Sequence, residues 1–534
     1  MSGLLAQRRA QRSGRHTVRK ADERGDKVSL GFAASLVVTS VLVGAIAGLA
    51  ASSSAPLLAL VFPLVLIPLA LWWRPVLGLY AVFFCAVAIE QFPYAVDAVD
   101  FNTGYSDTVA RPSLTSTIPV FHGILPAKAS PVEAVLLVVA TFLLLQAVRR
   151  RARFSLDTPI SRLLAGLLGL VVGYFMLGLL TGGSFRWALW EMRPFMYLGL
   201  SYLLARNLLT DPKTVRPLLW IIVVGSTYKA FDGFTIWWSI HASPNRPEAV
   251  LAHEESFFFG LYIVATLGMW LFGVKGLLRR VATLFLPIVL LCDMVNSRRT
   301  AWFIIFFAIA VMLVVAAVAV PRQRKRIIAV GLVAALAAMV YLPVFWSKNG
   351  TLAQPARAVR SVIAPDARDE ASNDYRKAES FNLTMYIKGS HSTGMGFGKR
   401  LVYQGMYDLT GGGTKLLAYV PHNGILYIWL RLGIVGMATL CLLLSQAVIR
   451  AARLARSATD PLAGLLGAVT AAVIFGYAVM GAVDMGFSWF RNAIAIGLLV
   501  GAVDGQLRSR ETQPSAIAEG AAETAVARGE LVAR

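Results

Sequence analysis

The sequence predicts an all-α fold: a polytopic bundle of about 14 transmembrane helices (12–14) with one large extracytoplasmic loop domain. The first observation is composition, because 57% of the 534 residues are hydrophobic and apolar runs of about 20 residues recur along the chain. The second is the placement of basic clusters, which all fall on one side when these runs are counted as spans. The third is the lack of the alternating polarity that membrane strands require.

The predicted spans begin and end where apolar runs meet charged or turn-forming residues. They cover 29–50, 55–73, 75–90, 131–148, 158–181, 188–209, 217–240, 254–274, 281–296, 300–320, 327–345, 422–445, 461–483 and 487–507. Two of the divisions depend on very short breaks, at Arg74-Pro75 and at Ser297-Arg298. The count therefore carries an uncertainty of about two spans.

Basic clusters fix the predicted orientation. The clusters at 149–153, 275–280, 322–326 and 450–456 fall on the same side as the basic N-terminal tail, so both termini are expected in the cytoplasm. The predicted division is as follows: a basic cytoplasmic tail (1–28), a transmembrane bundle (29–345), an extracytoplasmic loop (346–421), C-terminal transmembrane helices (422–507) and a disordered cytoplasmic tail (508–534).

The long loop does not follow the charge pattern of the shorter outer segments. It holds ten Lys/Arg and six Asp/Glu residues between 346 and 421. The positive-inside rule does not apply to long loops, so the positive charge is compatible with an outer location. It fits either an ordinary solvated domain or a surface that attracts an anion.

Composition also excludes several classes of protein. The net charge of +22 is largely concentrated in short loops and the tail, where it sets orientation, so we expect no nucleic-acid partner. Cys85, Cys292 and Cys441 all lie in apolar segments and are expected to be packing residues. No His-x-x-x-His pair or Cys/His cluster has metal-ligand spacing, so we expect neither a metal nor another cofactor. The N-terminal residues are too polar and too long for a cleaved signal peptide.

His422 is the main candidate for chemistry. It closes the long loop and opens the next apolar helix, in Val420-Pro421-His422-Asn423-Gly424. A titratable group at a membrane interface, next to a basic loop, indicates a site, and a neutral imidazole can accept a proton near pH 7.

Several arginines lie at the predicted outer edges of spans. They are Arg186, Arg193, Arg298 and Arg299. An arginine at this depth costs several kcal/mol unless it snorkels to lipid headgroups or pairs. Snorkelling stays open for each one, whereas several on one face beside a histidine favour a phosphate clamp.

Two further patterns allow more than one interpretation. Lys229 and Asp232 lie three residues apart on one helix face. They could form an ion pair with each other or line a path for the substrate. Gly394, Gly396 and Gly398 permit tight backbone turns; an anion nest is the weaker alternative because no strand precedes them.

Three short motifs, in order around one large outer loop, resemble those of the O-antigen ligases and Wzy-type polysaccharide polymerases. They are Ser297-Arg298 at the opening of a span; Arg376 followed by Gly394-x-Gly396-Phe-Gly398; and His422-Asn423-x-x-Leu426 leading into Leu-Gly-Ile-Val-Gly at 432–436. The resemblance runs from about 185 to 491, and the N-terminal third matches only in being hydrophobic.

The resemblance implies a membrane glycosyltransferase of the GT-C type in the bacterial cytoplasmic membrane, inverting, metal-independent and without a cofactor. The donor would be a glycan on a polyprenyl pyrophosphate, the acceptor a glycan or glycolipid, and the surroundings membrane lipids. Carried over by position, His422 matches the catalytic base, while Arg298 and Arg376 match arginines that engage the pyrophosphate. Arg193 and Arg299 are further candidates for that contact, and Asn423, Gly396 and Gly398 for supporting roles.

The chemistry that such a transfer needs agrees with these residues. A histidine can deprotonate the acceptor hydroxyl, and arginines can stabilise the departing pyrophosphate where no metal does so. A transporter or flippase for an anionic lipid or lipid-linked glycan is the alternative, which the charged pair Lys229 and Asp232 would also fit. Nothing in the sequence decides between polymerase and ligase.

Overall fold

The computed structural model describes residues 71–91, 120–121, 130–149, 156–240, 249–390, 392–404, 416 and 418–527, and these are helical with connecting turns and no strand. The helices are α1 (Pro75–Ala88), α2 (Pro131–Arg149), α3 (Pro159–Leu180), α4 (Phe185–Leu208), α5 (Val215–Ile240), α6 (His253–Leu271), α7 (Leu277–Asn296), α8 (Arg299–Ala319), α9 (Arg324–Phe345), α10 (Gln354–Ile363), α11 (Ala367–Gly389), α12 (Gly424–Ser457), α13 (Pro461–Val483) and α14 (Phe490–Ala527). The predicted all-α class is confirmed for this part of the chain.

Six of the helices are long and apolar enough to cross a membrane, as in a multi-pass membrane protein: α2, α3, α8, α9, α12 and α13. Every predicted span from 75–90 onward coincides with a described helix, whereas 29–50 and most of 55–73 lie outside the described residues. Only 6% of the apolar window of α9 is buried, against 78% for α13. Helix α13 therefore lies in the interior of the bundle, and α9 lies at its edge.

Local sequence explains where the helices around the site begin and end. Pro75 starts α1, since proline fits the first helical turn, and Asn423 caps α12 through its side-chain oxygen, which accepts from Leu426 N. Ser297 separates α7 from α8 with a left-handed backbone (φ 55°). Such a conformation is uncommon for a serine and breaks the helix at the predicted Ser297-Arg298 division.

Helices α4 and α14 pack closely because α14 presents three glycines, four residues apart, to its neighbour. They are Gly497, Gly501 and Gly505, and a Cβ on any of them would collide with a carbonyl oxygen of α4. Small residues at this spacing let two membrane helices approach backbone to backbone.

Buried ion pairs join several helices of the bundle. Lys229 of α5 lies 2.7 Å from Glu90 and 3.0 Å from Asp232, so the predicted Lys229–Asp232 ion pair is confirmed and has a third member. Arg491 of α14 contacts Glu255 of α6 at 2.5 Å and 3.1 Å. All five side chains are buried, and mutual pairing is what makes buried charge tolerable.

The segment predicted as a long loop contains two helices. Helix α10 is short, and α11 packs against α12 through a small apolar cluster of Leu383, Ile387, Leu401 and Leu430. The C-terminal tail also differs from expectation: α14 continues to Ala527, where a disordered tail was predicted from 508.

Candidate functional site

Five side chains meet at one end of the bundle, where the starts of α6, α8 and α12, the helix α11 and the residue after α13 come together. They are His253, Arg298, Glu379, His422 and Asp484, and we refer to them as the histidine cluster. Glu379 and Asp484 are buried, while both histidines are partly exposed. The cluster therefore combines buried carboxylates with two imidazoles that remain accessible.

A buried carboxylate of α11 holds His422 from two directions. Glu379 Oε2 accepts the backbone N–H of His422 at 3.0 Å, and Glu379 Oε1 lies 3.2 Å from His422 Nδ1. A carboxylate at Nδ1 fixes the tautomer, because the neutral ring then carries its proton on that nitrogen. Nε2 is left as the acceptor, and no hydrogen bond joins it to any residue that the structure describes.

Tyr375 packs against the ring of His422. Its ring meets the imidazole edge to face, with centroids 5.6 Å apart at 87°. Burial, reinforced by the nearby Glu379, raises the pKa of Tyr375, so its hydroxyl stays protonated. That hydroxyl is buried without a hydrogen-bond partner in the described part of the chain, which makes it a donor available to a bound molecule.

The second histidine connects an arginine to the other buried carboxylate. Arg298 Nη1 lies 2.7 Å from His253 Nε2, and His253 Nδ1 lies 2.7 Å from Asp484 Oδ2. Burial alone would raise the pKa of Asp484, but His253, His422 and Arg376 together hold it well below its usual range. Asp484 is thus an anion that faces both histidines and Arg376.

Arg299 and Arg376 bring further positive charge to this end of the bundle. Arg299 bridges to α11, 3.2 Å from Asp369 and 2.8 Å from Ser372 Oγ. No hydrogen bond or ion pair joins Arg376 to a described residue, although it acts electrostatically on Arg299 and Asp484. Of the four arginines predicted to contact the pyrophosphate, Arg376 has its guanidinium least committed to the protein groups that the structure describes.

Arg193 forms an ion pair with a neighbouring helix. Its Nε lies 3.1 Å from Glu133 Oε1 of α2. This ion pair explains how a charged side chain is tolerated at the predicted edge of a membrane span. Its predicted contact with the pyrophosphate stays a prediction.

The glycine loop holds the outer segment onto the bundle. Gly396 and Gly398 adopt φ values of 77° and 79°, which side chains rarely tolerate. The backbone amides of 395–398 all donate to protein acceptors; that of Gly398 reaches the buried Glu191 at 2.5 Å. Glu191 also pairs with Arg431 at 2.7 Å. These amides are therefore not free to form an anion nest, and Gly396 and Gly398 instead allow the loop to pack closely against α3 and α4.

Asn423 supports the start of α12. Its oxygen caps the helix, and its amide nitrogen donates to Ser380 Oγ of α11 at 3.3 Å. The residue next to His422 thus ties the catalytic candidate to the same helix that supplies Glu379.

Three members of the cluster were not predicted as site residues: Glu379, His253 and Asp484. One signal was present, because Glu379 follows Arg376 by three residues and Tyr375 by four, which places it on the same helix face as both. Among the described residues, no group of three or more His, Cys, Asp and Glu side chains is arranged to hold a metal ion.

This end of the bundle has groups that can accept a proton and groups that can bind an anion. His422 Nε2 is the candidate base, and Arg298, Arg299 and Arg376 are candidate cationic donors of the kind that match phosphate oxygens. Comparison with known proteins adds no family, since no protein-family model and no curated protein sequence matches the chain.

Proposed function

We propose that this protein is a membrane glycosyltransferase of cell-surface polysaccharide assembly, acting as a polymerase or a ligase. It moves a glycan from a polyprenyl pyrophosphate to a sugar hydroxyl at the outer leaflet. The observation that carries the proposal is His422, held at Nδ1 by the buried Glu379 with Nε2 free, beside arginines on α8 and α11.

The proposed topology places this site outside the cytoplasm. About 14 spans in a bacterial cytoplasmic membrane, with both termini inside, would put α10 and α11 on the outer face. The basic clusters at 322–326 and 450–456 support this, because they flank the outer segment from the opposite side. Cysteines placed at the exposed positions Val362 and Lys377 should then react with an impermeant maleimide in intact cells.

The proposed step is a single inverting displacement. The bond between the anomeric carbon and the donor pyrophosphate oxygen breaks, and its electron pair leaves with the polyprenyl pyrophosphate. The acceptor oxygen attacks from the opposite side, and its proton passes to Nε2 of His422. Arg298, Arg299 and Arg376 stabilise the charge that grows on the leaving group, so the scheme needs no metal.

A transporter or flippase for an anionic lipid is the second candidate. The observation in its favour is the buried network of Lys229, Glu90, Asp232, Glu255 and Arg491. Intramembrane charge often marks a path for ions or substrates. Here the charges pair with one another, and the free imidazole nitrogen lies elsewhere, so catalysis accounts for more of the structure.

One experiment separates these functions. The purified protein in liposomes is given a polyprenyl-pyrophosphate glycan, first alone and then with a lipid acceptor of different structure. A ladder of longer glycans indicates a polymerase, and transfer of the glycan to the second lipid indicates a ligase. Movement of intact donor between leaflets without any new glycosidic bond would contradict the proposal and favour the transporter.

A further inference from the structure

Arg298 is held by two acceptors at the start of α8. Its Nη1 lies 2.7 Å from His253 Nε2, and its Nη2 donates to the carbonyl oxygen of Leu251 at 3.1 Å. The short segment before α6 is itself fixed, because Asn296 Oδ1 accepts the amides of Val250 and Leu251 at 3.1 Å and 2.7 Å. The guanidinium is therefore oriented by a frame built from α6 and α7.

The chemistry of arginine determines the state of His253. A guanidinium can only donate, so Nε2 of His253 must be an acceptor without a proton. Nδ1 lies 2.7 Å from the Asp484 carboxylate and must carry the proton of the neutral ring. Burial and the charge of Arg298 both lower the pKa of His253, in keeping with a neutral ring, whereas Asp484 acts in the opposite direction.

The two histidines of the cluster therefore have different roles. Both ring nitrogens of His253 are occupied by protein groups, while Nε2 of His422 is open. His253 cannot take a proton from a substrate without first releasing Arg298. His253 is therefore suited to hold Arg298 in place, and not to accept a proton from a substrate.

We propose that His253 is a positioning residue: in its Nδ1-protonated form, fixed by Asp484, it orients Arg298 toward the leaving pyrophosphate. The identity of that anion rests on the proposed function, whereas the arrangement of Asp484, His253 and Arg298 does not. A displaced guanidinium would still carry its charge but would no longer meet the phosphate oxygens two at a time.

Two amides of different length separate the contacts of His253. In His253→Gln, the side-chain oxygen reaches the place of Nε2 and can accept from Arg298. In His253→Asn, the amide nitrogen takes the place of Nδ1 and donates to Asp484, but nothing reaches Arg298. We expect His253→Gln to keep turnover within about threefold of wild type, and His253→Asn to lose about 10–100-fold, because a misplaced catalytic group costs about that much.

A double-mutant comparison distinguishes positioning from a merely structural role. In the Arg298→Ala background, His253→Asn should change turnover by less than about twofold, since its effect passes through Arg298. A full additional loss in that background would overturn the proposal. Equal losses in His253→Gln and His253→Asn, in protein with unchanged thermal unfolding, would overturn it as well.

A spectroscopic test is independent of the glycosyltransferase proposal. In protein with ¹⁵N-labelled histidine, the resonances lost in His253→Ala should come from a neutral ring that is protonated on Nδ1 and unprotonated on Nε2. A proton on Nε2 would overturn the inference whatever reaction the protein performs. Conversely, an absence of glycan transfer by the wild type would reject the proposed function while these resonances still decide the role of His253.

Discussion

Replacing Glu379 with glutamine tests the contacts that hold His422 more sharply than removing the histidine does. Both carboxylate oxygens of the buried Glu379 face His422, at 3.0 Å from its backbone nitrogen and 3.2 Å from Nδ1. A glutamine amide has a single acceptor oxygen, and the backbone N–H requires it. The amide nitrogen would then face Nδ1 and, as a donor, would favour the opposite tautomer, with the proton on Nε2.

The expected loss follows from blocking the base. A ring protonated on Nε2 cannot accept the proton of the sugar hydroxyl, and general base catalysis contributes about 10²–10⁴-fold to rate. The same carboxylate-to-amide change in a serine protease triad costs about 10⁴-fold in kcat. We therefore expect Glu379→Gln to lower kcat by about 10²–10⁴-fold while donor binding changes little.

The assay is turnover of polyprenyl-pyrophosphate glycan at saturating donor, with donor binding and thermal unfolding measured on the same preparations. Glu370→Gln, at an exposed position on the same helix, is the matched control and should behave as wild type. A Glu379→Gln protein that folds and turns over within about threefold of wild type would refute the assigned tautomer and the role of the carboxylate.

Three further predictions concern the arginines, metal and acidity. Arg298→Ala and Arg376→Ala should each lower donor use by about tenfold or more. Lysine at either position should rescue poorly, because its single ammonium group lacks the paired N–H donors of a guanidinium. The exposed Lys377→Ala is the control, and unchanged kinetics in both alanine variants would contradict pyrophosphate binding by these arginines. Turnover should survive EDTA, and a loss that Mg²⁺ restores would contradict the metal-free scheme. The pKa of His253 in the folded protein lies below its ordinary 6.5, so the unfolded chain binds more protons at this residue. Acidification below about pH 6.5 should therefore destabilise the wild type more than His253→Gln. An equal pH dependence of their thermal unfolding would contradict a neutral His253.

The helices around the site were predictable because their signals are local. Apolar runs in lipid must become helices, and Pro75 and the Ser297-Arg298 break interrupt them at the predicted places. His422 could be identified because a polar, titratable residue at the first turn of an apolar helix stands out in the sequence itself. The neighbouring residues in the sequence were sufficient to predict these helix boundaries and to select His422 as a candidate.

The partners of these residues were not predictable, because they depend on tertiary contacts between distant segments. Glu379 meets His422 only because α11 folds back on α12, and Asp484 meets His253 only where α13 ends beside the start of α6. Arg193 was a predicted pyrophosphate contact, and the sequence did not indicate its ion pair with Glu133 of α2. A single sequence contains no information that pairs such residues.

The central claim is that Nε2 of His422 accepts the acceptor's proton, and product formation by His422 variants tests it most directly. His422→Ala and His422→Gln should each lower glycan transfer by about 10²–10⁴-fold, while thermal unfolding and donor binding stay close to wild type. The glutamine keeps a hydrogen-bonding group but cannot act as a base at neutral pH, so recovery of most of the rate in His422→Gln would show that the histidine only positions the acceptor. Normal turnover by a folded His422→Ala protein would contradict the account at its centre.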